Sequence, residues 1–144
     1  MLSSLRFERL DASFADQIAA MAQQLNPDKS PEYLRACLDE MFGASTYRCF
    51  GALTGDGRVV AVSSGWLTTR FYSGRQLEID NVVVDARHRS DGIGAALLAY
   101  VEEWAREQGC ETVELNAYVH NAPAHRFYFR HGYFVLGFHF QKKV

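Results

Sequence analysis

The stretch VVVDARHRSDGIGAALL, residues 82–98, decides how this chain is built. Its three valines read as a strand buried on both faces, and its alanine- and leucine-rich end reads as a helix. Two glycines, Gly92 and Gly94, stand between them. The sequence therefore makes a tight strand-to-helix turn. The first N–H groups of a helix have no intrahelical acceptor and carry the positive end of its dipole, so such a turn invites an anion.

Working outward, the following helix carries Ile93, Leu97, Tyr100, Val101 and Trp104 on one side, with Glu102, Glu103, Arg106 and Glu107 on the other. Gly109 is its natural stop. Upstream, QLEIDNVVV (76–84) is preceded by TYRCFGALT (46–54) and RVVAVSSGWLTTRFY (58–72), which Gly55-Asp56-Gly57 joins as a hairpin. LRFERL (5–10) reads as a first strand. Asp11 or Ser13 caps a helix over about 14–25, and Ser30-Pro31 opens another that ends near Gly43. Downstream come a strand over ETVELNAYV (111–119), a helix from Pro123 to His131, and one or two strands over YFVLGFHFQKKV (133–144). The order predicts one α/β domain over residues 1–144 with a mixed sheet.

Composition narrows the function. The 144 residues carry a net charge of −2, and acids outnumber bases 17 to 15, so a duplex nucleic acid is not an expected partner. Cys37, Cys49 and Cys110 lack paired or metal-type spacing and read as reduced thiols of a cytoplasmic protein. No run approaches the ~18 apolar residues of a membrane span, and the first residues carry no cleavage signal, so no membrane association is expected. The five histidines show no metal-binding spacing, and no metal is expected.

The anion remains to be named. No Lys-Ser or Lys-Thr follows the glycines, which excludes a phosphate loop of the GxxxxGK[ST] type. Leu97 stands where a dinucleotide fingerprint needs its third glycine. Arg89-Ser90-Asp91-Gly92-Ile93-Gly94, by contrast, follows the pattern R-x-x-G-x-G. Farther on, Asn121-Ala122-Pro123-Ala124-His125-Arg126-Phe127-Tyr128 with Gly132-Tyr133 follows N-x-x-A-x-x-F-Y-x-x-x-G-[FY]. Together the two motifs resemble the GNAT superfamily of N-acetyltransferases, over residues 77–133. Residues 1–76 agree with it in element order.

That resemblance implies a mostly antiparallel sheet with one splayed parallel pair and about four helices. It implies acetyl-CoA as cosubstrate, a primary amine as acceptor, direct attack in a ternary complex, and a possible homodimer. The backbone of Val82, Val83 and Val84 would pair with the pantetheine arm. Arg89, Ser90, Asp91, Gly92, Ile93, Gly94 and Ala95 would hold the pyrophosphate, and Asn121 would meet the arm from the neighbouring strand. Tyr128 matches the family's general acid; with a phenol pKa near ~10 it stays protonated at neutral pH. For the base, Glu78 and Asp80 share one strand face. Glu78 resembles an active-site glutamate of aminoalkylphosphonate-type enzymes, and His120 is an alternative.

Asp91 departs from the family pattern, standing where a basic residue is common. Beside a pyrophosphate it would repel unless it turned away as a helix cap. Trp66, Phe71, Tyr72, Tyr118, Phe138 and Phe140 are candidates for an aromatic acceptor lining. A small-molecule amine is the expected acceptor, with a protein N-terminus or lysine as alternative. A non-catalytic acyl-CoA sensor or a purely structural α/β module are the readings from other classes.

Overall fold

The computed structural model describes residues 2–89 and 91–144, Asn81 by its backbone. Five strands form one sheet: β1 (Arg6–Arg9), β2 (Tyr47–Leu53), β3 (Val59–Arg70), β4 (Gly74–Val84) and β5 (Thr112–Leu115). They lie side by side in chain order, antiparallel except for the parallel pair β4 and β5. Four α-helices flank them: α1 (Ala15–Leu25), α2 (Pro31–Phe42), α3 (Ile93–Glu107) and α4 (Ala122–Arg130). No described helix is long and apolar enough to cross a membrane.

Local chemistry sets the boundaries. Ser30 Oγ accepts the Tyr33 N–H at 3.0 Å and Pro31 fills the first turn, which starts α2. Asp11 caps a short 3-10 turn at Ala12–Phe14, so α1 begins one residue later than its sequence predicts. Gly109, at φ 79°, takes the left-handed conformation that ends the turn after α3.

Two cores lie on opposite faces of the sheet. Phe50, Leu77, Ile79, Leu97, Leu98 and Val101 pack on the α3 face. Ile18, Met21, Leu38, Leu53, Val62 and Val83 pack on the α1–α2 face. Each large side chain so buried contributes about 1.5–3 kcal/mol.

One irregularity in β4 matters for function. Gly65 pairs with Ile79 and Ser64 pairs with Asn81, so Asp80 is an extra residue in the ladder. Side-chain parity changes there. Leu77 and Ile79 face α3 before the bulge, and Val82 and Val84 pack against the α3 core after it, while Val83 lies in the other. The parallel pairing with β5 also ends there, at Ile79 and Leu115, although β4 continues to Val84. Past that point β4 has no pairing partner on that side among the described residues, which leaves a gap in the ladder between the two strands.

The same end of pairing corrects the strand expected over residues 111–119, which pairs only at Thr112–Leu115. The closing segment is a second correction. Residues 134–144 form no strand, because no neighbour among the described residues pairs with them.

Candidate active site

The site is built around the gap beyond Ile79. On its α3 side, β4 ends in Val84, and a 3-10 turn at Ala86–His88 leads to Arg89 and α3. Asp85 caps that turn, accepting the Arg87 N–H at 3.0 Å, and its carboxylate pairs with the Arg87 guanidinium. These bonds hold the Asp85 carboxyl well below its usual range, at about 2.

The N-cap of α3 is Gly92, left-handed at φ 75°, and no side chain caps the helix. The donors of its first turn are thus left without a side-chain acceptor. Asp91 does not serve as the cap, so the condition set above for its carboxylate to turn away from an anion is not met. Gly94 lies close to its neighbours: a Cβ there would stand 3.3 Å from Val84 Cγ2 and 3.7 Å from Phe127.

Around this helix start lies a cavity of about 470 Å³, lined by Val84, Gly92, Ile93, Gly94 and Ala95, and by the cationic or ionisable His88, Arg89, Arg130 and His131. The His88 Nε2 is buried without a hydrogen-bond partner. Close backbone approach, uncapped helix donors and converging basic groups fit a diphosphate. Ser90 lies outside the described residues. Of the predicted contacts, Arg89, Gly92, Ile93, Gly94 and Ala95 meet here, joined by Val84.

Sequence reading missed His88, Arg130 and His131 as cavity groups. Arg130 and His131 follow Phe127 by three and four residues, so helical spacing alone could have placed them beside it.

Asn121 opens α4, its Oδ1 accepting the Ala124 N–H at 3.3 Å. That helix carries Tyr128 into the α3-side core, where its ring packs edge-on against Phe127 and Tyr133. Burial raises the Tyr128 pKa, and a hydrogen bond from the backbone N–H of Val82 opposes the rise. The phenol thus stands at the edge of β4 inside the gap.

Glu78, Asp80 and Trp66 lie on the opposite face. Trp66 pairs with Glu78 across the ladder and packs against the α1–α2 core. Its Nε1–H donates to Asp80 Oδ2 at 3.1 Å. Burial raises the Asp80 pKa, the Trp66 bond opposes it, and the Glu78 charge adds to it. Glu78 pairs with Arg70 at 3.5 Å and stands in register with Glu114, whose carboxylate accepts the Tyr72 hydroxyl at 2.7 Å.

The aromatic lining is only partly assembled. Trp66 is at the site, Phe71 and Tyr72 sit at the β3–β4 turn, and Phe138 and Phe140 project into solvent. Tyr118 is exposed and stacks on His120 at 5.4 Å. Among the described residues no three His, Cys, Asp or Glu groups converge as a metal site.

The model of the acetyltransferase (GNAT) family matches residues 18–133. The chain belongs to that family, and is therefore an acyltransferase that uses acetyl-CoA. The aminoalkylphosphonate N-acetyltransferase of Salmonella typhimurium strain LT2 is 45% identical over 67 residues, a match that takes in 46% of this chain and 44% of that enzyme's length. The aminoglycoside N(6')-acetyltransferase type 1 of Serratia marcescens is 29% identical over 115 residues, 77% of this chain and 79% of that enzyme. Among solved structures, the aminoglycoside N-acetyltransferase AAC(6')-Iy in complex with CoA superposes with a TM-score of 0.84 at 17% identity, over 96% of this chain and 94% of that one. At that identity the likeness is one of fold.

Proposed function

We propose that the protein transfers acetyl from acetyl-CoA to a primary amine of a small molecule, both bound at once on opposite sides of the β4–β5 gap. The observation that carries this reading is the placement of Tyr128 on the α3 side of the gap and Asp80 on the other. Acetyl-CoA supplies the acetyl group as a thioester. The start of α3, with Gly92, Gly94 and Arg89, holds its pyrophosphate. The exposed edge of Val82–Val84 hydrogen-bonds the pantetheine arm. Asp80, its pKa raised by burial, takes the proton of the attacking amine; Glu78 is the second candidate for that role. Tyr128 donates its phenolic proton to the departing sulfur. Proton transfers of this kind contribute about 10²–10⁴ in rate each.

The acceptor face carries Glu78, Asp80 and Glu114 against Arg70, an excess of negative charge. That favours an acceptor with additional positive charge, as on an aminoglycoside, over one bearing a phosphonate. The test is a thiol-release assay with acetyl-CoA across polyamines, aminoglycosides and aminoalkylphosphonates. A set of active cationic amines supports the reading. Turnover confined to phosphonate amines reverses the acceptor assignment, and acetyl-CoA binding without any turnover points to an acyl-CoA sensor.

A further inference from the structure

Thr68 and Gln76 stand opposite each other across the β3–β4 ladder, in the row of the sheet beyond the Trp66–Glu78 pair. Alternation puts both on the acceptor face, which Glu78 shares with Glu114 of β5. Gln76 is 0% exposed, and one end of its amide is bonded to the Ser73 hydroxyl. The other end, Nε2, has no hydrogen-bond partner among the described residues, and neither has the buried Thr68 Oγ1. Turning the amide over exchanges the two ends and still leaves one bare, because the Ser73 hydroxyl can give or accept. Buried polar groups left so are costly, and two in one cross-strand pair call for an occupant.

Tyr72 shows what kind of group fits there. Its ring, 64% exposed, leaves the β3–β4 turn, and its hydroxyl donates to Glu114 Oε1 at 2.7 Å. The Glu114 bond raises the Tyr72 pKa and the Gln76 amide opposes the rise, so the same oxygen stands beside Gln76 as well. One hydroxyl is thus placed between a carboxylate that accepts its hydrogen and an amide with a hydrogen to give. We infer that Gln76, Thr68 and Glu114 form a hydroxyl-binding subsite of the acceptor face, which the Tyr72 hydroxyl fills until a hydroxyl of the acceptor replaces it. This rests on the acetyl-transfer reading above and narrows its acceptor from a cationic amine to one that also carries hydroxyl groups. Gln76 lies two residues from Glu78 and four from Asp80, so that hydroxyl sits about 7–13 Å along the strand from the groups that take the amine proton. A plain alkyl polyamine can meet Glu114 but leaves Gln76 and Thr68 bare. A site built to bond a hydroxyl discriminates against a ligand without one for that reason.

The test is calorimetry on the full chain loaded with CoA, with kanamycin and spermine as probes. Both are polycations of like charge, and only kanamycin carries hydroxyl groups. The wild type should bind kanamycin more tightly than spermine. Gln76→Met should lower the ratio of the two affinities by about three- to tenfold, the loss of one net hydrogen bond. Thr68→Val should shift the ratio the same way. Tyr72→Phe removes the competing hydroxyl, so kanamycin should bind it more tightly than it binds the wild type. A ratio unchanged in both Gln76→Met and Thr68→Val overturns the subsite, as does weaker kanamycin binding by Tyr72→Phe. A wild type that binds neither probe, or prefers spermine, overturns it too. Thiol release is measured separately: turnover with no amine defeats the acetyl-transfer reading, while a ratio that falls in Gln76→Met still upholds the subsite.

Discussion

Trp66 donates its indole N–H to the carboxylate of Asp80 across the β3–β4 ladder, at 3.1 Å. The bond fixes one carboxylate oxygen of a group that burial already makes reluctant to ionise. A carboxylate held in this way is oriented and more basic than a free one.

Asp80→Asn should therefore lower kcat by about 10²–10⁴ if Asp80 takes the amine proton. In the wild type, the acid limb of the rate profile should lie above the ordinary Asp value of ~3.9. Stability moves the other way. Because the folded pKa is raised, the fold favours the neutral acid, and that contribution is complete below ~3.9 and lost as pH rises through the folded value. At neutral pH Asp80→Asn should unfold at a temperature no lower than the wild type. Glu78→Gln separates the two carboxylates: if it alone removes the acid limb, the base is Glu78.

Tyr128→Phe removes a hydroxyl that meets the Val82 N–H while leaving the ring against Phe127 and Tyr133. Turnover should fall by about 10²–10⁴. Acetyl-CoA affinity by calorimetry should stay near that of the wild type. Since burial raises the phenol pKa, the wild-type rate should show no loss of this proton near neutral pH. An unchanged rate in the variant removes Tyr128 as the acid.

Gly94 separates two sizes of change. A methyl group there meets Val84 at 3.3 Å and Phe127 at 3.7 Å, a contact that small side-chain adjustments can absorb. Gly94→Ala should bind acetyl-CoA almost normally. Gly94→Leu places bulk where the anion would lie and should weaken binding by tenfold or more, about 1.4 kcal/mol or greater. Equal affinity in both variants would move the pyrophosphate elsewhere.

Asp85 supports the turn without touching the reacting atoms. Its folded pKa is depressed to about 2, so its contribution is present above the unfolded value of ~3.9 and lost as pH falls through about 2. Asp85→Ala should cost about 1 kcal/mol in urea melts at neutral pH, as the loss of a capping side chain does. The difference from wild type should shrink as the pH drops toward 2.

How much of this was legible beforehand depends on the kind of signal. The glycine turn, the α3 stripe and the α4 motif are local patterns, and each stands where its residues predicted. The Asp80 bulge was also written in LEIDNVVV, where the apolar phase changes from Leu77 and Ile79 to Val82 and Val84, yet it takes two known cores to see the change. His88 and Arg130 meet across a strand-to-helix turn and a separate helix, a proximity that no spacing in one segment encodes. The 134–144 segment has the sequence of a strand, but strand structure requires a second backbone, and alternation cannot say whose.

The bulge in β4 has a meaning for engineering as well. Excise Asp80, and Leu77, Ile79, Val82, Val83 and Val84 would each still face the core they face now, in unbroken alternation. Neither hydrophobic layer would register the deletion, and the ladder would gain regularity. What would vanish with Asp80 is the bulge beside which β4 loses its pairing with β5, the place where the proposed function seats the thioester. A stability screen would reward that shortened chain, while a selection for acetyl transfer would discard it.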